Sequence, residues 1–75
     1  MKTRRMRAQD EPWVVRHQSG IIMGVVPACS ALRATECARV QFGLKVPFVS
    51  RLVEESPTVE RDVRERYPEA FGGVM

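Results

Sequence analysis

Seventy-five residues, 44% hydrophobic and 28% charged with a net charge of +3, describe one small folded unit rather than a disordered chain. A chain this short has room for one modest core, which argues against a deep catalytic cleft backed by a rigid supporting shell. The charge is uneven: four basic residues fall within the first seven positions, four lie within 33–51 against Glu36 alone, and six acids stand against Arg61, Arg64 and Arg66 within 54–69. The first half therefore suits phosphates or an acidic protein surface, and the last part does not.

Residues 1–11 carry Lys2, Arg4, Arg5 and Arg7 without an apolar period and are expected to form a flexible basic arm. A single compact domain is expected over 12–71, and a flexible tail over 72–75. The basic start is not followed by an apolar stretch of signal-peptide length. Residues 21–26 are too few to cross a bilayer. A cytoplasmic protein with reduced thiols and no membrane partner is expected.

Residues 13–15 and 21–26 are rich in β-branched and aromatic side chains and flank a polar run ending in Gly20, which predicts a β-hairpin. Pro27 should end it, and Gly24 should mark a bulge or a close backbone approach. A hairpin alone is marginal, so it must pack on the helices. Trp13 is either core or an exposed anchor for a partner.

Ser30 is placed to cap a helix starting at Ala31. Leu32, Ala34, Cys37, Ala38 and Phe42 spread over one apolar face, with Arg33 and Arg39 away from it. Thr35-Glu36 offers a second start, so residues 28–42 read equally as one helix or two. A further helix is expected over 47–55, with Pro47 in its first turn. There Phe48, Val49, Leu52 and Val53 would face the core, and Ser50, Arg51 and Glu54 would face out. Ser56-Pro57 then opens a last helix over 57–67. Its apolar stripe is Val59, Val63 and Tyr67, supported by the i,i+4 pairs Glu60–Arg64 and Asp62–Arg66. Pro68 ends it, and Phe71 should fold back on the core. The predicted fold class is α+β: a small single domain with an amino-terminal β-hairpin packed on three or four short helices.

Helix, Gly-centred turn and helix across 35–55 make a helix-turn-helix-like unit. The run Gly43-Leu44-Lys45-Val46-Pro47-Phe48-Val49-Ser50-Arg51-Leu52 resembles the turn and recognition helix of helix-turn-helix DNA-binding proteins. In that resemblance Gly43, Leu44, Val49 and Leu52 hold the helices together. Ser50 and Arg51 stand where side chains reach DNA, and Lys45 would touch the backbone. The family favours Ala four residues before the Gly, where this chain has Arg39 beside Ala38. Glu54 and Glu55 oppose a close phosphate approach.

His17, Cys29 and Cys37 are the soft metal ligands of the sequence, without the paired spacings of a structural zinc site. Eight positions apart on one helix, the two cysteines would be separated by roughly 12 Å, beyond the reach of about 7 Å that a disulfide allows. Two buried thiols and a loop histidine are expected, with no metal and no cofactor. A Cys–His nucleophile pair would lack a third orienting group, so no enzyme is expected.

The basic start Met1-Lys2-Thr3-Arg4-Arg5-Met6-Arg7, the α+β body and the length together resemble small phage-encoded transcription regulators. Those proteins bind host RNA polymerase, inhibit host promoters and act as antiterminators. The resemblance implies a non-enzymatic protein of the host bacterial cytoplasm that occupies polymerase surface. It would interfere with promoter engagement and hinder termination near the RNA exit channel. Arg4, Arg5, Arg7, Trp13, Arg33 and Arg39 are the residues suited to a protein partner, since arginine and tryptophan favour interfaces. Lys45, Ser50 and Arg51 suit DNA or RNA within the transcription complex. A monomer is expected. The alternatives are a helix-turn-helix repressor and an inhibitor of some other host protein.

Overall fold

The computed structural model describes residues 10–71, and its first elements lay down a three-stranded antiparallel sheet. In β1 (Glu11–Arg16) successive side chains alternate between faces. Trp13 and Val15 point to one side and Val14 to the other, and all three are buried. β1 is paired on one side with β2 (Ile22–Ala28), as the hairpin pattern predicts. In the connecting turn the His17 amide donates to the Ile21 carbonyl and the Gly20 amide to the His17 carbonyl, both at 2.8 Å. Gly20 sits there at φ 99°, a conformation that costs glycine nothing.

Val15 faces Gly24 and Arg16 faces Ile22, so Met23 is the extra residue of a β-bulge. Gly24 answers to the close approach instead: a Cβ built there would lie 2.6 Å from Cζ of Phe42. Pro27 does not end the strand. It pairs opposite Pro12, and β2 runs on to Ala28. β2 is an edge strand, where a missing N–H is tolerated.

Residues 47–55 depart from the expected helix. Phe48–Arg51 is a third strand, β3, lying antiparallel to β1 with Trp13 opposite Arg51 and Val15 opposite Val49. A single 3-10 turn, Leu52–Glu54, follows. The reason lies in β1. It is covered on both faces, so the backbone groups on its free edge would be buried without partners if β2 alone paired with it. The Phe48-Val49 pair supplies the β-favouring side chains that complete the sheet in the order β2-β1-β3. Leu52 is buried as expected, but Phe48 is 54% and Val53 68% exposed. The helix-turn-helix unit is therefore absent, and the described chain holds two α-helices rather than three or four.

The first, α1 (Ala31–Phe42), is one continuous helix. The Ser30 hydroxyl accepts from the Arg33 amide at 3.3 Å, and Gly43 closes the far end at φ 66°. The Thr35 hydroxyl donates to the Ala31 carbonyl at 2.8 Å, a bond that belongs to a helix interior rather than to a new start. Ala34 and Ala38 are fully buried, and their small side chains let the helix lie close to the sheet. Leu32, expected on the apolar face, is 68% exposed. The second, α2 (Pro57–Arg66), begins as predicted, with the Ser56 hydroxyl accepting from the Val59 amide at 3.3 Å. After it, a 3-10 turn at Pro68–Phe71 folds Phe71 back, and the Arg64 guanidinium lies 4.6 Å from the centre of its ring.

The sheet is the middle layer. Trp13, Val15, Val26 and Ala28 pack with Ala34 and Ala38 on the α1 side. Val14 and Val25 pack with Leu52 and Val63 on the α2 side. Among the described residues no helix is long and apolar enough to cross a membrane.

Candidate functional site

Internal pairing sorts the lysines and arginines among the described residues into two groups. Arg16 reaches across β3 to Glu55, with Nη1 and Nη2 each donating to a carboxylate oxygen at 2.9 Å. Ser50, facing Val14 in β3, donates its hydroxyl to the same carboxylate and accepts from Arg16 Nη1 at 3.3 Å. The Arg16 hydrogen bond holds the Glu55 carboxyl below its usual range, against the opposing effect of burial. The same bond raises the Arg16 guanidinium. Arg51 lies 3.0 Å from Glu11 and 3.8 Å from Glu54. On α2, Arg64 pairs with Glu60 and Arg66 with Asp62, each at 3.2 Å, as the i,i+4 spacing predicts.

The second group is Arg33, Arg39, Lys45 and Arg61. All four are exposed, and none forms an ion pair with a described residue. Two of them stand on α1. With Ala34 and Ala38 against the sheet, the 3.6-residue repeat turns residues 32, 33, 36, 39 and 40 outward. Leu32, Arg33, Glu36, Arg39 and Val40 are all exposed, Val40 by 86%. Leu32 and Arg39 are seven residues apart, and so are Arg33 and Val40. The face therefore carries two basic and two apolar corners on opposite diagonals around Glu36.

The remaining sequence candidates fall elsewhere. Trp13 is only 7% exposed, and its indole Nε1 donates to the buried Ala28 carbonyl at 2.9 Å, so the ring is core and not a surface anchor. Ser50 and Arg51, expected on a recognition helix, are on β3 and engaged with the chain's own carboxylates. Lys45 is exposed just beyond α1. Arg4, Arg5 and Arg7 lie outside the described residues. His17 stays in the hairpin turn, its Nδ1 accepting from the Ser19 amide at 3.0 Å. Cys37 is half-buried, but Cys29 is exposed rather than buried, and both thiols are free. No group of three or more His, Cys, Asp or Glu among the described residues is arranged to hold a metal.

The sequence reading missed Leu32, Glu36 and Val40 as surface features. The available signal was their position opposite Ala34 and Ala38 in the helical repeat. It was hidden by counting Leu32 with the apolar stripe on hydrophobicity alone. The chain matches no protein-family model, and no curated protein or solved structure is significantly similar to it.

Proposed function

We propose that this is a non-catalytic transcription regulator that binds bacterial RNA polymerase, inhibits initiation at host promoters and favours antitermination, acting as a monomer in the bacterial cytoplasm. The observation that supports a binding role is the partition of the arginines. Arg16, Arg51, Arg64 and Arg66 are held by the chain's own carboxylates, whereas Arg33 and Arg39 form no ion pair among the described residues and stand on a helix face beside exposed aliphatic side chains. Arginine with exposed apolar surface is the composition of a protein-binding patch. The choice of polymerase rests on the resemblance of the basic start and the small α+β body to phage regulators.

A direct test uses purified bacterial RNA polymerase, nuclease-treated, and the tagged full chain. The expected result is a stable complex, reduced promoter-dependent transcription and increased readthrough at a terminator in a reconstituted reaction. Absence of a complex at micromolar concentrations, with transcription unchanged, overturns the reading.

A further inference from the structure

We infer that the outward face of α1 is a docking surface for an acidic protein patch with apolar seats, rather than for nucleic acid. This inference rests on the polymerase-binding reading and names the contact that would carry it. Three features of the face specify the occupant.

The first is the pair Arg33 and Arg39, six residues apart and so roughly 9 Å along the helix axis. Both are exposed, and neither is satisfied within the described chain. A guanidinium is best matched by a carboxylate or a phosphate, each of which it grips through two parallel hydrogen bonds.

The second feature decides between those two. Leu32 and Val40 are 68% and 86% exposed, among the most exposed large hydrophobic residues described. A phosphate backbone gives an isolated leucine and valine nothing to bury against, whereas a protein surface offers apolar seats. The third is Glu36, exposed at the centre of the face, three residues from each arginine. A central carboxylate repels a phosphate track. On a protein partner it selects for a basic group at the middle of the patch. The complement is thus a protein surface with two carboxylates on one diagonal, two apolar depressions on the other, and a basic group between them.

The face is also separable from the fold. The buried side of α1 is carried by Ala34 and Ala38, and the helix ends are fixed by Ser30 and Gly43. Outward substitutions should leave the structure intact, and circular dichroism and thermal melting check this for each variant.

The experiment measures binding of the full chain to nuclease-treated bacterial RNA polymerase, and separately to random duplex DNA, at two salt concentrations. Arg33→Glu/Arg39→Glu and Leu32→Ser/Val40→Ser should each weaken polymerase binding by about 30-fold or more, the effect of removing an interface hot spot. Arg61→Glu, at an exposed arginine of α2 with no ion pair among the described residues, should change it by less than about twofold, as a charge outside the contact does. Glu36→Lys separates the two occupants. It should weaken polymerase binding, and it would instead tighten DNA binding if nucleic acid occupied the face. If the wild-type chain binds polymerase and both double variants bind equally well, the α1 face is not the contact, while the polymerase reading survives. If Glu36→Lys strengthens DNA binding and leaves polymerase binding unchanged, the choice of a protein occupant is overturned. If the wild-type chain does not bind polymerase, the functional reading falls and the surface loses the partner on which this inference rests.

Discussion

At the residue scale, the chain commits its most shielded charges to one junction. Arg16, Ser50 and Glu55 tie β1, β3 and the segment leading into α2 together. Replacing the carboxylate by an amide takes the negative charge and one of two acceptors from a half-buried guanidinium, so Glu55→Gln should lower stability at neutral pH by about 1.5–3 kcal/mol, the range for hydrogen bonds to charged groups. Urea unfolding measures this. The sign of the pH dependence follows from the depressed carboxyl. In acid the unfolded chain takes up this proton before the folded one does. The contribution is therefore full above the ordinary glutamate value of about 4.3 and is lost as pH falls through the lower folded-state value. The wild-type chain should lose stability across that window, and Glu55→Gln should show a flatter profile. Gly24 and Phe42 form a second pair at this scale. Gly24→Ala should cost about 1–3 kcal/mol by overpacking, because its methyl group meets the Phe42 ring. In a Phe42→Leu background the same substitution should cost clearly less. Equal costs in both backgrounds would mean that the ring is not what excludes the methyl group.

At the element scale, the informative stretch is 47–55. The spacing of Phe48, Val49, Leu52 and Val53 fits the inner stripe of a helix, and Pro47 fits its first turn. Those same residues also make a strand followed by a 3-10 turn, and local pattern does not choose between the two. The choice comes from the unpaired edge of β1, more than thirty residues away in sequence. Leu52→Ala should cost about 2–5 kcal/mol as a core truncation. Val53→Ala should stay within about 0.5 kcal/mol, as exposed positions do. Two equal, large losses would restore the helical arrangement. Features read locally were recovered: the hairpin, the Ser30 and Ser56 caps, the Gly43 stop and the Glu60–Arg64 and Asp62–Arg66 pairs. Gly43→Ala should cost about 1–2 kcal/mol, since an alanine at φ 66° is strained, and thermal melting checks it. The candidate site divides in the same way. Arg33 and Arg39 were legible because a helix repeat places them. The capture of Ser50 and Arg51 by Glu55 and Glu11 was not, because it depends on β3 lying beside β1.

At the scale of the whole molecule, two apolar clusters lie on opposite faces of one sheet, and β1 supplies residues to both. Trp13 belongs to the α1 side, and Tyr67 packs on the α2 side. Unfolding followed by tryptophan fluorescence and by tyrosine absorbance should therefore give coincident transitions, the mark of a single cooperative unit. Separate midpoints would show that the two faces melt independently. The buried contacts of Ala34 and Ala38 with the sheet hold α1, so its outward aliphatic and basic side chains are not needed to fix it in place.

The central position of β1 also has a consequence for how the protein is made. On the ribosome this strand emerges well before the strand that completes its outer edge, which ends at Arg51, about forty residues later. Until then the nascent chain can form the β1–β2 hairpin with α1 packed on one face, while the outer edge of β1 has no strand beside it and the Val14–Val25 face lacks Leu52 and Val63. Nascent chains stalled before β3 has cleared the exit tunnel should be cut readily by protease, and resistance should arise only once β3 and α2 are both outside. Protection of the sheet would thus arise in one step rather than strand by strand, because β3 closes the edge of β1 and Leu52 and Val63 cover its second face.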